Sequence, residues 1–325
     1  MSMLHSPLGT RKSLVYKSFG SPSLALRLAE SDLHNLRDGN LRVAMSLAAV
    51  NPSDLIPITG AYAHRIRLPA TAGYEGVGHV IQAPPDLSYL VGKRVLPLRG
   101  EGTWQTVVDC LPDNAIPIPD NVPDEIAARA YINPLAAHTM LDLWDVRGKT
   151  VLLSGAGSSC AEYLGRWAYQ RGAAQVYGVY RSESRAGRMK SLGIDAISIG
   201  ETARLLRVAT QADVTFDALG GTVASEVLAS MQAGSTFIGY GLLTGRAVSL
   251  PANLQATYRR FHLRDHLGSL PAGSFSASFL SIWPMLMGID LPEICIRPAH
   301  AWKEAIIAAN LSGSPKQLLD FQSLA

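Results

Sequence analysis

The segment from Ser154 to Gly165 reads SGAGSSCAEYLG and has small residues at the positions where a turn could bind a phosphate. It follows a short apolar run and leads into a helix-like sequence. A turn between a strand and a helix needs small residues, because it bends sharply and lets phosphate approach backbone N–H groups. Counted back from Gly172, which ends the predicted helix, the critical positions are Ala156, Ser158 and Ala161. The loop is therefore compatible with a dinucleotide, and a strand–turn–helix without a ligand is the alternative.

We expect five consecutive residues of this loop to contact the cofactor. The Ser158 hydroxyl could donate a hydrogen bond to phosphate in place of the closer approach that glycine allows. The five residues are Ala156, Gly157, Ser158, Ser159 and Cys160.

The residues that follow the next predicted strand favour NADPH over NADH. An acidic residue that binds the ribose of NAD is expected about 20 residues after the loop. The sequence there is GVYRSESR, with Arg181 in place of the acid, followed by Ser182 and Arg185. Arginine binds phosphate in a bidentate fork, so these residues suit the 2′-phosphate of NADPH. Two solvated surface arginines are the alternative.

Strands and helices alternate around these residues. From Thr150 onward, predicted strands at 150–154, 175–180, 195–199, 213–219 and 235–241 are separated by predicted helices at about 160–171, 183–192, 201–209 and 222–232. Such alternation predicts a parallel sheet with both faces covered, as in a doubly wound nucleotide-binding domain. We expect the alternation to stop after Pro251 and a final helix at 301–311.

The first third of the chain is different. Short β-like runs at 41–50, 76–83, 92–98 and 103–109 are separated by Gly and Pro, which suggests a β-barrel or sandwich. A helix is expected to begin at Pro123. The fold class expected is therefore α/β, with a β-rich domain and a parallel-sheet domain.

Composition excludes several classes of protein. The chain has 325 residues, more than a single core usually holds, and 47% of them are apolar. A net charge of +3 without a basic cluster argues against nucleic acid as the main partner. No apolar run is long enough to span a membrane. Three distant cysteines, Cys110, Cys160 and Cys295, argue against a disulfide framework and favour a reducing compartment, so we expect a cytoplasmic protein.

Several motifs together resemble the medium-chain dehydrogenase/reductase superfamily. They are most similar to its zinc-independent branch of quinone oxidoreductases and mitochondrial-type 2-enoyl thioester reductases. The motifs run through nearly the whole chain in order: AAVNPSDLIPITGAY (48–62), LPATAGYEGVG (68–78), GTWQTVV (102–108), INPLAAHTML (132–141), KSLGIDAIS (190–198), FDALGG (216–221), FIGYG (237–241) and AWKEAIIAANLSGSPKQLL (301–319).

The resemblance implies a GroES-like catalytic domain at 1–122, a Rossmann NADP-binding domain at 123–260 and a C-terminal segment, 261–325, that returns to the catalytic domain. It also implies a homodimer. Zinc alcohol dehydrogenases have a ligand cysteine where this chain has Asn51 and a ligand histidine where it has Tyr74. Because Asn and Tyr are poor zinc ligands, we expect a site without metal.

The resemblance assigns site residues as well. Tyr62 matches the catalytic tyrosine of the enoyl reductases, and Asn51 is expected to border the nicotinamide or the substrate. A structural aromatic residue and a turn-forming asparagine are the alternatives. Further residues are expected beside the cofactor, with ordinary turn and cap roles as alternatives: Asn133, Gly220, Tyr240 and Gly241.

These assignments predict reduction of an activated C=C bond. Hydride from NADPH would reach the β-carbon of an enoyl thioester or enone, while Tyr62 stabilises the charge on the carbonyl oxygen. A quinone reductase with the same residues and a non-catalytic NADP-binding sensor or structural protein are the alternatives. The stretch 261–274 lacks the aromatic residues that enoyl thioester reductases carry there, which suggests a changed acyl pocket.

Overall fold

A computed structural model describes residues 9–268, 273–311 and 313–324. The chain forms two compact units. One comprises Met1–Ile132 and Gly273–Ala325, and the other comprises Asn133–Ala272. We call them the first unit and the second unit.

The strands and helices are numbered in chain order. The strands are β1 Thr10–Tyr16, β2 Leu26–Asp32, β3 Leu41–Ala49, β4 Ala70–Thr71, β5 Gly76–Gln82, β6 Arg94–Pro97, β7 Val107–Cys110, β8 Ala115–Pro117, β9 Thr150–Leu153, β10 Gln175–Tyr180, β11 Asp195–Ser198, β12 Val214–Asp217, β13 Thr236–Gly239, β14 Thr257–Arg260, β15 Ile294–Pro298 and β16 Lys316–Asp320. The α-helices are α1 Pro22–Ala25, α2 Pro52–Leu55, α3 Asp124–Ala127, α4 Ile132–Leu143, α5 Ser159–Gln170, α6 Ala186–Ser191, α7 Thr202–Gln211, α8 Gly221–Ser230, α9 Leu263–Gly268, α10 Ser274–Met287 and α11 Trp302–Ala309.

The first unit is built on β3, whose side chains are almost all buried. It lies within a sheet of order β15-β16-β3-β5-β6-β8, and β7 also pairs with β3. A smaller sheet has the order β2-β1-β4. The run predicted as a strand at 103–109 gives a strand only from Val107, and the residues before it pair through backbone hydrogen bonds and an isolated bridge from Gln105 to Ser13. The C-terminal strand β16 thus pairs with β3, far from it in sequence.

The second unit contains a six-stranded sheet of order β11-β10-β9-β12-β13-β14, and every neighbouring pair is parallel. The α/β fold class is confirmed. No helix separates β13 from β14, so the alternation of strands and helices does stop, but β14 adds a sixth strand that was not predicted at the edge of the sheet. Its side chains are exposed except for the partly buried Tyr258, so the hydrophobic pattern of a buried parallel strand is missing.

The sequence that begins at Pro123 forms two helices, α3 and α4, separated by residues 128–131. The Glu75 carboxylate accepts hydrogen bonds from the backbone N–H groups of Tyr131 (3.1 Å) and Ile132 (2.8 Å). These amides at the start of α4 have no acceptor within a helix, and a buried carboxylate satisfies them. The interruption therefore depends on a residue that is distant in sequence.

Aromatic residues do follow the aromatic-poor stretch, on α10 of the first unit. Phe275, Phe279 and Trp283 are buried there, and Tyr131 packs against both phenylalanines at centroid distances of 5.9 and 6.5 Å. The ring contacts of Tyr131 with Phe275 and Phe279 lie within this unit. Among the described residues, no helix is both long and apolar enough to cross a membrane.

Candidate functional site

The predicted nucleotide loop lies at the carboxyl end of β9, at the N-terminus of α5. Gly155 has φ +59°, the left-handed conformation that glycine adopts readily. Ser158 is the N-cap residue of α5, and its hydroxyl accepts a weak hydrogen bond from the Ala161 N–H (3.4 Å). In the described part of the chain, the backbone N–H groups of Gly157 and Ser159 have no hydrogen-bond acceptor. Unpaired amides at a helix N-terminus are what an anionic phosphate requires.

Ala156 has a different role from its neighbours. It is fully buried, and its N–H donates to the Val179 carbonyl oxygen at 2.9 Å. A Cβ added at Gly178 of β10 would lie 2.8 Å from the Ala156 Cβ, so the missing side chain allows the loop to approach the strand. Close packing of α5 is likewise provided by Gly165, where a Cβ would lie 2.4 Å from Ile194. Glycines outside the expected motif therefore supply its packing functions.

Arg185 contacts the loop directly. A Cβ added at Gly157 would lie 2.8 Å from the Arg185 Cγ, so the arginine stem covers this glycine. Arg185 ends a 3-10 turn, Glu183–Arg185, that follows β10. Arg181 is exposed, and the Ser182 hydroxyl lies 3.0 Å from that of Ser184. The structure thus brings one of the two predicted arginines to the nucleotide loop and leaves the other at the surface.

Tyr240 and Asn133 lie beside the same loop. The Tyr240 hydroxyl is buried next to the Ser158 and Cys160 side chains, and burial raises the pKa of this phenol well above its usual value. Burial likewise raises the pKa of the Cys160 thiol to about 12. The Cys160 Sγ lies 3.7 Å from the Asn133 carbonyl oxygen. Tyr240, Asn133, Ser158 and Cys160 therefore form one cluster at the start of α5.

Gly220 and Gly241 both hydrogen-bond to Asp217, Gly220 through the buried carboxyl group and Gly241 through the backbone carbonyl oxygen (3.2 Å). Asp217 accepts a hydrogen bond from the Gly220 N–H at 2.9 Å, and it also accepts one from the Ser154 hydroxyl. A Cβ at Gly220 would lie 2.2 Å from the Arg246 carbonyl oxygen, and one at Gly241 would lie 2.7 Å from a backbone oxygen. Burial raises the pKa of Asp217. Both glycines therefore occupy places where a side chain does not fit.

Tyr62 belongs to the first unit. It is partly exposed and precedes the 3-10 turn Ala63–Arg65. The guanidinium carbon of Arg65 lies 4.0 Å from the centre of the Tyr62 ring, which is a cation–π contact. The preceding Gly60 has φ +90°, and a Cβ there would lie 3.2 Å from Phe19. The tyrosine is thus presented between two tight turns, one of which requires glycine at position 60.

Asn51 is 1% exposed and lies at the start of α2. Its Nδ2 donates to the Glu75 Oε1 at 2.7 Å, and its Oδ1 accepts a hydrogen bond from the Lys316 ammonium group. Its backbone N–H donates to the Asp54 Oδ2 at 2.7 Å. We call Asn51, Asp54, Glu75 and Lys316 the buried polar cluster.

Three members of this cluster had no role predicted from the sequence. Asp54 and Glu75 stand in the quoted motifs NPSD and GYEGVG, and Lys316 stands in the C-terminal motif, but none was given a role. Acidic residues within otherwise apolar, glycine-rich motifs were the available signal, because a buried carboxylate needs partners. Nothing local points to Lys316, which reaches Asn51 from 265 residues away.

Known proteins are similar to both units. A model of the alcohol dehydrogenase GroES-like domain matches residues 37–120. The mitochondrial enoyl-[acyl-carrier-protein] reductase of Arabidopsis thaliana is 30% identical over 74% of this chain and 67% of its own length. That of Xenopus tropicalis is 28% identical over 78% and 77%, respectively. A solved structure from Bacillus thuringiensis, named "putative NADPH:quinone reductase", is 30% identical, covers 96% of this chain and 99% of its own, and has a TM-score of 0.90.

The chain belongs to the medium-chain dehydrogenase/reductase superfamily. Within the superfamily it belongs to the zinc-independent branch of enoyl and quinone reductases. The mitochondrial 2-enoyl thioester reductase heterodimer of Candida tropicalis has the same fold, with a TM-score of 0.79 at 18% identity. Among the residues of our chain that the structure describes, no group of three or more His, Cys, Asp or Glu residues is placed to hold a metal.

Proposed function

We propose that this chain reduces an activated C=C bond of an enoyl thioester or enone, with NADPH as the hydride donor and without a metal ion. It is an NADPH-dependent oxidoreductase of the enoyl and quinone reductase type, as its relatives indicate. One observation supports the choice of a C=C bond: the first unit presents a partly exposed tyrosine, Tyr62, at a tight turn.

The second unit fits NADPH. Gly157 lacks the side chain that would collide with Arg185, so a guanidinium group can lie next to unpaired N–H groups at the start of α5. These amides suit the pyrophosphate, and we assign Arg185, with Ser182 and Arg181, to the 2′-phosphate. We place Tyr240, Asn133, Gly220 and Gly241 beside the cofactor. When bound, NADPH supplies the hydride.

The protein residues would stabilise charge and deliver a proton. Reduction at the β-carbon places negative charge on the carbonyl oxygen of the substrate. The Tyr62 hydroxyl can donate a hydrogen bond to that oxygen, and the reaction ends when Tyr62 or a solvent water transfers a proton to the α-carbon. Because its amide is buried and hydrogen-bonded to Glu75 and Lys316, we assign Asn51 to holding in place the residues that lead to Tyr62.

The test is NADPH oxidation by the purified protein with crotonyl-CoA, a simple enone and a quinone. Loss of a single oxyanion donor typically costs about 10²- to 10³-fold in kcat, so Tyr62→Phe should lower kcat with crotonyl-CoA by about 100-fold. Tyr89→Phe changes a tyrosine that is 68% exposed and serves as the control, with unchanged kcat. If kcat is the same in the Tyr62→Phe variant and the wild type, the assignment of Tyr62 is wrong.

A quinone reductase is the second candidate, favoured by the similarity to the Bacillus thuringiensis structure along 96% of the chain. Turnover of the quinone, with no turnover of crotonyl-CoA or the enone, would identify the chain as a quinone reductase. NADPH binding without turnover of any of the three substrates would instead indicate a non-catalytic NADP-binding protein. Absence of NADPH binding by calorimetry would refute all three functions.

We also propose a homodimer in the cytoplasm. The curated relatives are named as mitochondrial, and a neighbour of the same fold is a heterodimer, so both points need their own measurements. Light scattering of the purified chain gives the oligomeric state. Fractionation of the source cells gives the location.

A further inference from the structure

The buried polar cluster contains more charge than the proposed reaction uses. Asn51, Asp54 and Glu75 are exposed by only 1%, 2% and 1%. The Lys316 ammonium group, at the start of β16, donates to the Asn51 Oδ1 and to the Val50 carbonyl oxygen (2.9 Å). Two carboxyl groups and one ammonium group are therefore buried together, which is stabilising only when their hydrogen bonds are well formed.

Lys316 is one of two donors that face the oxygen of the Asn51 amide, and the other is the Asp54 backbone N–H of the capping box at the start of α2. An asparagine side chain accepts hydrogen bonds through its oxygen and donates them through its nitrogen. Here a donor faces the oxygen and an acceptor faces the nitrogen. The ammonium group can only donate, and it faces the Asn51 Oδ1. The Glu75 carboxylate accepts from the Asn51 Nδ2 at 2.7 Å. A reversed amide would set donor against donor and acceptor against acceptor.

The two carboxylates extend this anchoring to the neighbouring backbone. Asp54 accepts from the N–H groups of Asn51 (2.7 Å) and Tyr74 (2.9 Å), and Glu75 accepts from Tyr131 and Ile132. Burial lowers the pKa of Lys316, while the charges of Glu75 and Asp54 raise it and that of Arg129 lowers it further. The Lys316 ammonium group is thus a cation beside Glu75 and Asp54, and Arg129 is a second cation nearby.

The residues after Asn51 lead to Tyr62 without a flexible linker. The helix α2 is followed at once by the 3-10 turn Ile56–Thr59 and then by Gly60. The Ile58 carbonyl oxygen accepts a hydrogen bond from the Gly20 N–H at 2.9 Å. A displacement at Asn51 is therefore passed along a continuous series of turns.

We propose that Lys316 is a positioning residue, which sets the Asn51 amide and through it the segment that carries Tyr62. This inference rests on the proposed function. Lys316 touches neither substrate nor cofactor in this scheme. Since a misplacement of about 1 Å can cost about 100-fold in rate, loss of the ammonium group should lower kcat much more than it changes KM.

Three variants test this with NADPH and the substrate that the wild type turns over. Lys316→Met should lower kcat at least about tenfold, with little change in KM or in the Kd for NADPH, because the nucleotide loop belongs to the second unit. Lys316→Arg retains a cation and should recover part of the loss. Lys93→Met removes an exposed lysine of the first unit and should leave kcat unchanged.

The double variant Lys316→Met/Glu75→Gln separates positioning from charge balance. The double variant lacks the Glu75 carboxylate, which has no balancing ammonium group in Lys316→Met. Its urea midpoint should therefore be higher than that of Lys316→Met. The double variant does not restore the hydrogen bond that Lys316 donates to the Asn51 Oδ1, so kcat should stay low. Recovery of kcat together with the midpoint would show that Lys316 is only a counter-ion and would overturn the proposal.

The remaining outcomes are also decisive. If Lys316→Met does not fold, the Arg and double variants still give the kcat comparison. If the wild type turns over a substrate and the folded Lys316 variants have the same kcat, the positioning role is refuted and the proposed function is not. A wild type that turns over none of the three substrates refutes the proposed function and the positioning role with it.

Discussion

Replacing Asp54 by Asn should remove a pH dependence of stability. Burial, followed by the nearby charge of Glu75, raises the pKa of the Asp54 carboxyl from 3.8 to about 7. A carboxyl whose pKa is raised in the folded state binds its proton more tightly there than in the unfolded chain. Its contribution to stability is therefore complete below about pH 4 and is lost as the pH rises through about 7.

The size of the effect follows from the two pKa values. A difference of about three pKa units corresponds to roughly 4 kcal/mol over the whole range, of which about 2–3 kcal/mol falls between about pH 5 and about pH 8. Asn removes the titration, but it accepts through one oxygen and leaves one of two backbone N–H groups without its partner. That loss costs about 1–3 kcal/mol at any pH.

Urea denaturation followed by circular dichroism, at several pH values, provides the assay. The destabilisation of Asp54→Asn relative to wild type should be smaller by about 2–3 kcal/mol at about pH 8 than at about pH 5. Asp38→Asn changes an exposed carboxyl and should show no such trend. Parallel pH profiles for wild type and Asp54→Asn would show that burial does not hold a proton on Asp54, and the electrostatic account of the cluster would fail.

Three further predictions concern the nucleotide loop, a packed glycine and the thiols. Arg185→Ala should raise the Kd for NADPH about tenfold or more and that for NADH about twofold at most, by calorimetry; equal changes would argue against a 2′-phosphate contact. Gly73→Ala should lower the free energy of unfolding by about 2–5 kcal/mol, since φ is +90° and the new Cβ would lie 2.2 Å from Trp104. Gly92→Ala, with φ +82° and open space, should cost only about 1–2 kcal/mol, so equal losses in urea would refute the packing argument. Iodoacetamide should label the partly exposed Cys295 before the two buried thiols, whose pKa burial raises to about 12, and mass spectrometry would reveal the opposite order.

The sequence predicted elements well where the pattern of side chains is local. The apolar run of β3 and the alternation from β9 to β13 were predicted almost at their observed bounds. The edge strand β14 was missed because its exposed residues lack the apolar signal, and the break between α3 and α4 was missed because a distant carboxylate supplies it.

The candidate site shows the same division. Small residues in the loop and arginines after β10 were enough to predict a phosphate-binding region, but not that Arg185 would pack on Gly157 while Arg181 stays exposed. The motifs around Asn51 and Tyr62 suggested their importance, but not that Asn51 would be buried. The direction of a side chain depends on which neighbours the fold brings to it.

By itself, the sequence determined the two kinds of domain, the position of the nucleotide loop and the family. These follow from hydrophobic periods and short motifs, which act over a few residues along the chain. The tertiary structure alone determined the buried polar cluster, because Lys316 and Asn51 become neighbours only when β16 pairs with β3. A buried charge is tolerated only beside its partners, so the chemistry of this region was settled by the pairing of strands that are distant in sequence.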